Sequence, residues 1–238
     1  MKGRSGLPLI LAAIRSLLFM LFFYIGSFFI VLGAFLASYS SKRLLSALCM
    51  AWSHYHRWCA RWILGQKVRI IGERPAGSVL VVMKHESMFE AIDIVCLFDR
   101  AMVAAKKELV DIPGFGKAAK AYGIVPIERG AGMKAIRTIQ AAGKEARETG
   151  RVIGLFPEGT RVPHGERPPL QSGFAALYVT LKAPVVPIAV DSGLLAPRGS
   201  FIKWPGTITY LIGETIPPGL PRDEAEARAH VAINALNR

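Results

Sequence analysis

From Lys67 onward, seven short apolar runs recur, at residues 68–71, 79–83, 102–105, 123–127, 152–156, 185–190 and 208–212. Helix-length segments separate several of them, most clearly 133–148, 174–182 and 223–236. Short runs rich in Val and Ile, without polar alternation, read as strands buried on both faces. Strands alternating with helices specify an α/β domain with a mixed, largely parallel central sheet flanked by helices. No internal repeat or low-complexity tract interrupts the pattern. Pro/Gly-rich stretches at 162–169 and 217–221 mark surface loops.

The chain before that domain has another character. Residues 16–37 carry no charge, and a helix over them covers about 33 Å, enough for the ~30 Å hydrocarbon core of a bilayer. A cleaved signal peptide is the competing reading; the length of the run and the lack of an A-x-A site oppose it. In residues 43–64, Leu44, Leu48, Trp52, Tyr55, Cys59 and Trp62 recur at helical steps, and Trp52, Trp58 and Trp62 suit the lipid headgroup level. Such a helix either lies along the bilayer or packs on the domain. His54 and His56, two apart, fall on different faces and read as interfacial polar residues. Lys2, Arg4 and Arg15 precede the apolar run, and Lys42, Arg43, Arg57 and Arg61 follow it. Positive charge on both flanks favours a hairpin or in-plane anchor with both ends cytoplasmic; a single span with the N-terminus outside is the alternative. The expected division is 1–64 as membrane-anchoring helices and 65–238 as the domain that carries the chemistry.

Lysines and arginines number 30 against 17 acids, a formal charge of +13. That balance fits nucleic acid, anionic lipid or a phosphorylated substrate. No zinc-type Cys/His spacing and no RNA-binding aromatic motif is present, so lipid and phosphate lead. Cys49, Cys59 and Cys96 are odd in number, lie in apolar segments, and read as reduced, buried thiols in a cytosol-facing protein.

Candidate chemistry gathers at strand ends, where α/β folds place their ligands. The run 79–83 leads into Lys84-His85-Glu86-Ser87-Met88-Phe89-Glu90. On one regular helix, His85 and Glu90 would stand about 140° apart. With His85 in a loop and Glu90 in the first helical turns, the two converge: the carboxylate fixes the imidazole tautomer and frees the other nitrogen as a base. Glu86 is the rival carboxylate. Later runs end in Lys106 and Lys107, in Glu128-Arg129-Gly130, and in Phe156-Pro157-Glu158-Gly159-Thr160-Arg161. In the last cluster Gly159 permits close backbone approach, Thr160 offers a hydroxyl, and Arg161 a fork matched to phosphate oxygens. The chain has no Walker A string, no G-x-S-x-G elbow and no metal constellation.

His85 with a carboxylate at Glu90, Ile127-Glu128-Arg129, the Phe156–Arg161 string and Val186-Pro187-Ile188 resemble, in order and spacing, the four motifs of the glycerolipid acyltransferases. The resemblance covers roughly residues 67–195, is most specific at Phe156-Pro157-Glu158-Gly159-Thr160-Arg161, and is nearest to the bacterial enzymes that acylate 1-acylglycerol 3-phosphate. It departs at Glu90, where the family usually has Asp. It implies a membrane-bound enzyme in which His85 deprotonates a glycerol hydroxyl that attacks an acyl thioester, acyl-CoA or acyl-carrier protein, making phosphatidate from lysophosphatidate. Lys106, Arg129 and Arg161 would hold the acceptor's phosphate. Glu158 and Thr160, with Gly159, would order the loop or touch the glycerol, and Pro187 would shape the wall of the acyl site. The implied partners are the lysophospholipid acceptor, the thioester donor and the lipid bilayer, with no cofactor, metal or nucleic acid. The implied place is a bacterial inner membrane, with the catalytic domain facing the cytoplasm. The alternatives are transfer to another lysolipid, such as lyso-ornithine lipid, and a non-catalytic lipid- or phosphate-binding membrane protein.

Overall fold

The computed structural model describes residues 6–112, 115–127 and 133–237. Its sheet has seven strands: β1 Gln66–Ile71, β2 Leu80–Met83, β3 Met102–Lys106, β4 Ile124–Ile127, β5 Ile153–Leu155, β6 Val185–Val190 and β7 Gly206–Ile212. Each lies within two residues of the apolar run expected to form it. The strand order is β1-β7-β6-β2-β5-β3-β4. Strands β2 to β6 run parallel, β7 is antiparallel to β6, and β1 pairs parallel with β7. Five strands therefore deliver their carboxyl ends to one edge of the sheet.

The helices are α1 Leu7–Ala37, α2 Lys42–Cys59, α3 Met88–Leu97, the single turn α4 Lys107–Val110, α5 Phe115–Tyr122, α6 Met133–Thr149, α7 Ser172–Leu181 and α8 Arg222–Ile233. They cover both faces, as a buried parallel sheet requires. On one face Phe19 and Phe23 of α1, Cys59 of α2, and Phe89, Ile92 and Ile94 of α3 pack with Val81, Met83, Val186 and Ile188. On the other, Ile139, Ala146, Phe174, Leu177, Ala229 and Ile233 of α6, α7 and α8 pack with Leu80, Val82 and Val185. Side chains alternate along a strand. Continuing the alternation of β2, Lys84 turns toward α8 and His85 toward α3.

Helix α1 begins nine residues before the uncharged run, because Arg15 does not interrupt it. One seam of α1 is buried along its length, at Ala12, Ser16, Phe19, Phe23, Ser27, Ala34 and Ala37. Leu21, Phe22, Ile25, Phe28, Phe29 and Leu32 face outward. Gly26 lets Tyr55 lie across the helix, since a Cβ there would sit 2.4 Å from the Tyr55 hydroxyl oxygen. That hydroxyl donates to Phe22 O at 2.5 Å, and Trp52 Nε1 donates to Ser27 Oγ at 2.9 Å. Helix α2 runs on into a π-helical turn, Ala60–Leu64, that closes at Gly65 before β1.

Of the two readings of α2, the structure takes packing on the domain. Leu48, Trp52, Tyr55 and Cys59 of the expected stripe pack inward, its two ends do not, and the packed side is broader than the stripe. Leu45, Ser53, His56 and Cys59 are buried, whereas Leu44 and Trp62 are 50% and 68% exposed. The reason is that α2 is gripped by α1, α3 and α5 from several sides. His54 is exposed, as an interfacial residue would be, but His56 is not interfacial. Its ring sits among Phe19, Phe23 and Phe89, and burial, reinforced by Arg57 and Lys203, lowers its pKa to about 3. The three cysteines are free thiols.

Candidate active site

Ser87 is the N-cap of α3, and its Oγ accepts the Phe89 N–H at 3.1 Å. Glu90, the third residue of the helix, reaches back and accepts the Ser87 N–H at 2.6 Å, completing a capping box. The same oxygen, Oε1, accepts the Glu86 N–H at 2.6 Å and faces His85 Nδ1 at 2.9 Å. The chain thus adopts the loop-then-helix placement that a five-residue spacing demands. A glutamate in place of the family's aspartate has a local physical reason, since it has the reach that a capping box uses. The second oxygen, Oε2, accepts the Ser192 hydroxyl at 2.6 Å. All four partners are donors or can donate, a set suited to a carboxylate.

The carboxylate is fully buried and the imidazole side chain 15% exposed. His85 stacks on Phe156 with ring centroids 4.3 Å apart. Its backbone is pinned at both ends: its N–H donates to Glu158 Oε2 at 2.9 Å, and its carbonyl accepts the Val162 N–H at 2.7 Å. With Nδ1–H given to Glu90, Nε2 is left as the acceptor.

Glu86 does not share the His85 ring. Its oxygens lie 3.0 and 3.2 Å from His164 Nδ1, and Oε2 accepts the Gly193 N–H at 2.8 Å. Burial pushes the Glu86 carboxyl up to about 8, opposed by the Gly193 N–H and reinforced by the charge of Glu90. Burial also holds His164 below its ordinary value. Both shifts favour the uncharged forms of this second pair.

On the opposite face, Lys84 Nζ donates to Glu158 Oε1 at 2.6 Å, to Glu166 O at 2.7 Å and to Asn234 Oδ1 at 2.9 Å. Both oxygens of Glu158 are therefore committed within the fold. These contacts tie the loop to β2, with the buried carboxylate held by its cation. Gly159 turns the chain at φ 67, in the left-handed region. Thr160 Oγ1 and the Arg161 carbonyl both accept from Arg198 Nη1 at 3.2 Å. No carboxylate pairs with Arg161 or Arg198 among the described residues. Lys203 is held below its ordinary value by burial and then by the Arg161 charge. Lys106 is exposed at the end of β3, in register with Ile127 of β4; Arg129 lies outside the described residues.

Pro187 occupies β6 on the face of Val185 and fronts a groove with Ile216, Val231 and Ala232, on the α8 side of the sheet. Ser192, His164, Arg198 and Lys203 escaped the sequence reading. Asp191-Ser192-Gly193 directly follows β6, so the strand-end rule that picked out the other clusters applies to it as well. Among the described residues no group of three or more His, Cys, Asp or Glu could hold a metal.

Residues 66–191 match the acyltransferase family. The chain is 31% identical over 189 residues to the 1-acyl-sn-glycerol-3-phosphate acyltransferase of Pseudomonas aeruginosa, covering 79% of this chain and 71% of the relative. It is 27% identical over 192 residues to the enzyme of the same name from Saccharomyces cerevisiae, covering 78% of this chain and 63% of the relative. Among solved structures, the 1-acyl-sn-glycerophosphate (LPA) acyltransferase from Thermotoga maritima has the same fold, with a TM-score of 0.70 and 23% identity over 94% of this chain and 97% of that one.

Proposed function

Because the chain belongs to the acyltransferase family, we propose that it transfers a fatty acyl group from a thioester, acyl-CoA or acyl-carrier protein, to the sn-2 hydroxyl of lysophosphatidate, giving phosphatidate. The observation that carries this reading is the His85 Nδ1 to Glu90 Oε1 contact of 2.9 Å at the carboxyl edge of the sheet. There the Val162 N–H donates to the His85 carbonyl, and its chain neighbour Arg161 has no carboxylate partner among the described residues. His85 Nε2 takes the proton of the hydroxyl as its oxygen attacks the thioester carbonyl. The tetrahedral intermediate collapses, the C–S bond breaks, and the imidazolium returns the proton to the leaving thiolate. The products are an ester and a free thiol, and no serine or cysteine nucleophile or cofactor takes part. Glu90 holds the tautomer and compensates the imidazolium. Arg161, joined by Arg198, Lys106 and Arg129, receives the acceptor's phosphate.

A purified-enzyme assay with both donors and a panel of lysolipids tests the reading. Lysophosphatidate is expected to be the preferred acceptor; preference for an acceptor without a phosphomonoester, such as a lyso-ornithine lipid, would overturn it. In the same assay, Arg161→Ala is expected to raise KM for lysophosphatidate about tenfold to a hundredfold, the worth of a charge-assisted hydrogen bond. An acceptor lacking phosphate should be affected much less. Equal losses on both would remove Arg161 from the phosphate site.

Helix α1 is long and apolar enough to cross a membrane, yet its seam is packed against the rest of the chain from Ala12 to Ala37. That packing, with the cationic flanks, supports an in-plane anchor formed by residues 1–64 on the cytoplasmic face of a bacterial inner membrane. Residues 65–238 then carry the chemistry at headgroup level. A cysteine introduced at Gly3, with Cys49, Cys59 and Cys96 replaced by alanine, is expected to resist an impermeant maleimide applied to intact cells. Labelling from outside would reject the anchor in favour of a single span.

A further inference from the structure

We propose that Ser192 is a positioning residue of the His85–Glu90 pair: its buried hydroxyl holds the second carboxylate oxygen, so that the first stays aimed at the imidazole. The inference rests on the acyl-transfer reading given above and names a part of that site which lies outside the family's motif residues.

The two oxygens of Glu90 are held differently. Oε1 is fixed locally by the Glu86 and Ser87 N–H groups and by His85. Oε2 has a single donor among the described residues, Ser192 Oγ at 2.6 Å, which is 102 positions further along the chain. Ser192 is completely buried, so its hydroxyl is withdrawn from substrate and acts through Glu90. A buried carboxylate oxygen without a donor is costly, and the group would relieve that cost by rotating or by taking a proton. Either change removes the acceptor of the His85 Nδ1–H.

The turn that carries Ser192 is itself fixed. Asp191 Oδ1 accepts the Thr209 N–H at 2.7 Å, tying the turn to β7, and the Ser192 carbonyl accepts the N–H groups of Leu195 and Ala196. The next residue, Gly193, donates to Glu86, and a Cβ there would stand 2.8 Å from Glu86 Oε2. Two successive residues of one turn thus cap the two carboxylates that flank the start of α3. A donor mounted this rigidly costs no reorganisation when charge develops on the imidazole.

The test compares the full-length native enzyme with Ser192→Ala and Ser192→Thr in detergent micelles. Ser192→Ala is expected to lower kcat about tenfold to a hundredfold, the usual range for a group that orients a catalytic one. KM for donor and acceptor should stay within about twofold of native, and the low-field proton resonance of a hydrogen-bonded His85 Nδ1–H should shift or broaden. Ser192→Thr, which keeps the hydroxyl, should restore kcat to within about threefold of native. A Ser192→Ala enzyme with native kcat and an unmoved resonance would overturn the proposal. So would a Thr variant as slow as the Ala variant, because packing and not the hydroxyl would then matter. Should the native enzyme acylate no lysolipid, the acyl-transfer reading fails, while the resonance still decides whether Ser192 holds the pair.

Discussion

His85→Ala is expected to lower acyl transfer by about two to four orders of magnitude while the protein stays folded. The imidazole directly follows β2, with Nδ1 tied to the Glu90 carboxylate and no hydrogen bond to Nε2 among the described residues. A positioned base contributes about 10²–10⁴-fold, so the residual rate should fall at least a hundredfold and by as much as ten-thousandfold. Folding should tolerate the loss. The ring is partly exposed and stacks on Phe156, while the hydrogen bonds that pin this segment come from its backbone. Initial rates with lysophosphatidate, read beside a thermal unfolding curve, check the result. A His85→Ala enzyme retaining a tenth of native activity would mean that another group removes the proton.

Glu90→Gln is expected to lower kcat by two to four orders of magnitude, as when an amide replaces the carboxylate that orients a catalytic histidine. The amide oxygen can still accept at the Oε1 position, and its NH2 can face the Ser192 oxygen, so the fold should survive. What disappears is the negative charge that compensates the imidazolium. Glu90→Asp keeps that charge and the capping position and should retain substantial activity. Glu86→Gln is the control, because Glu86 sits on His164 and not on His85. A near-native Glu90→Gln enzyme beside an inactive Glu86→Gln enzyme would transfer the orienting role to Glu86.

The strands were readable because a buried parallel sheet leaves short, uniformly apolar runs, and nothing else in this chain imitates them. The His85–Glu90 pair was readable because loop and helix lie within one short segment, and the Ser87-x-x-Glu90 box marks where the helix starts. What stayed hidden depends on partners far apart in sequence. The use of Glu158 as the anchor of Lys84 follows only once β2 and β5 are neighbours. Ser192 becomes a partner of Glu90 only when β6 lies beside β2. A motif fixes the position of Pro187 along its strand, whereas strand alternation decides which face it serves. The packed side of α2 is broader than its apolar stripe because three neighbouring helices share the work of covering it, and two of them enclose His56 in aromatic rings.

The ammonium of Lys84 carries a consequence for biosynthesis. Its three acceptors come from residues 158, 166 and 234. A chain growing on a ribosome exposes α1 before the strands, so the apolar helix is out while most of the sheet is unmade. Strand β2 follows early, but the cation beside His85 lacks its last partner until Asn234 has left the exit tunnel. Translation order therefore sets the emergence of the apolar helix well ahead of the closing of the reactive centre.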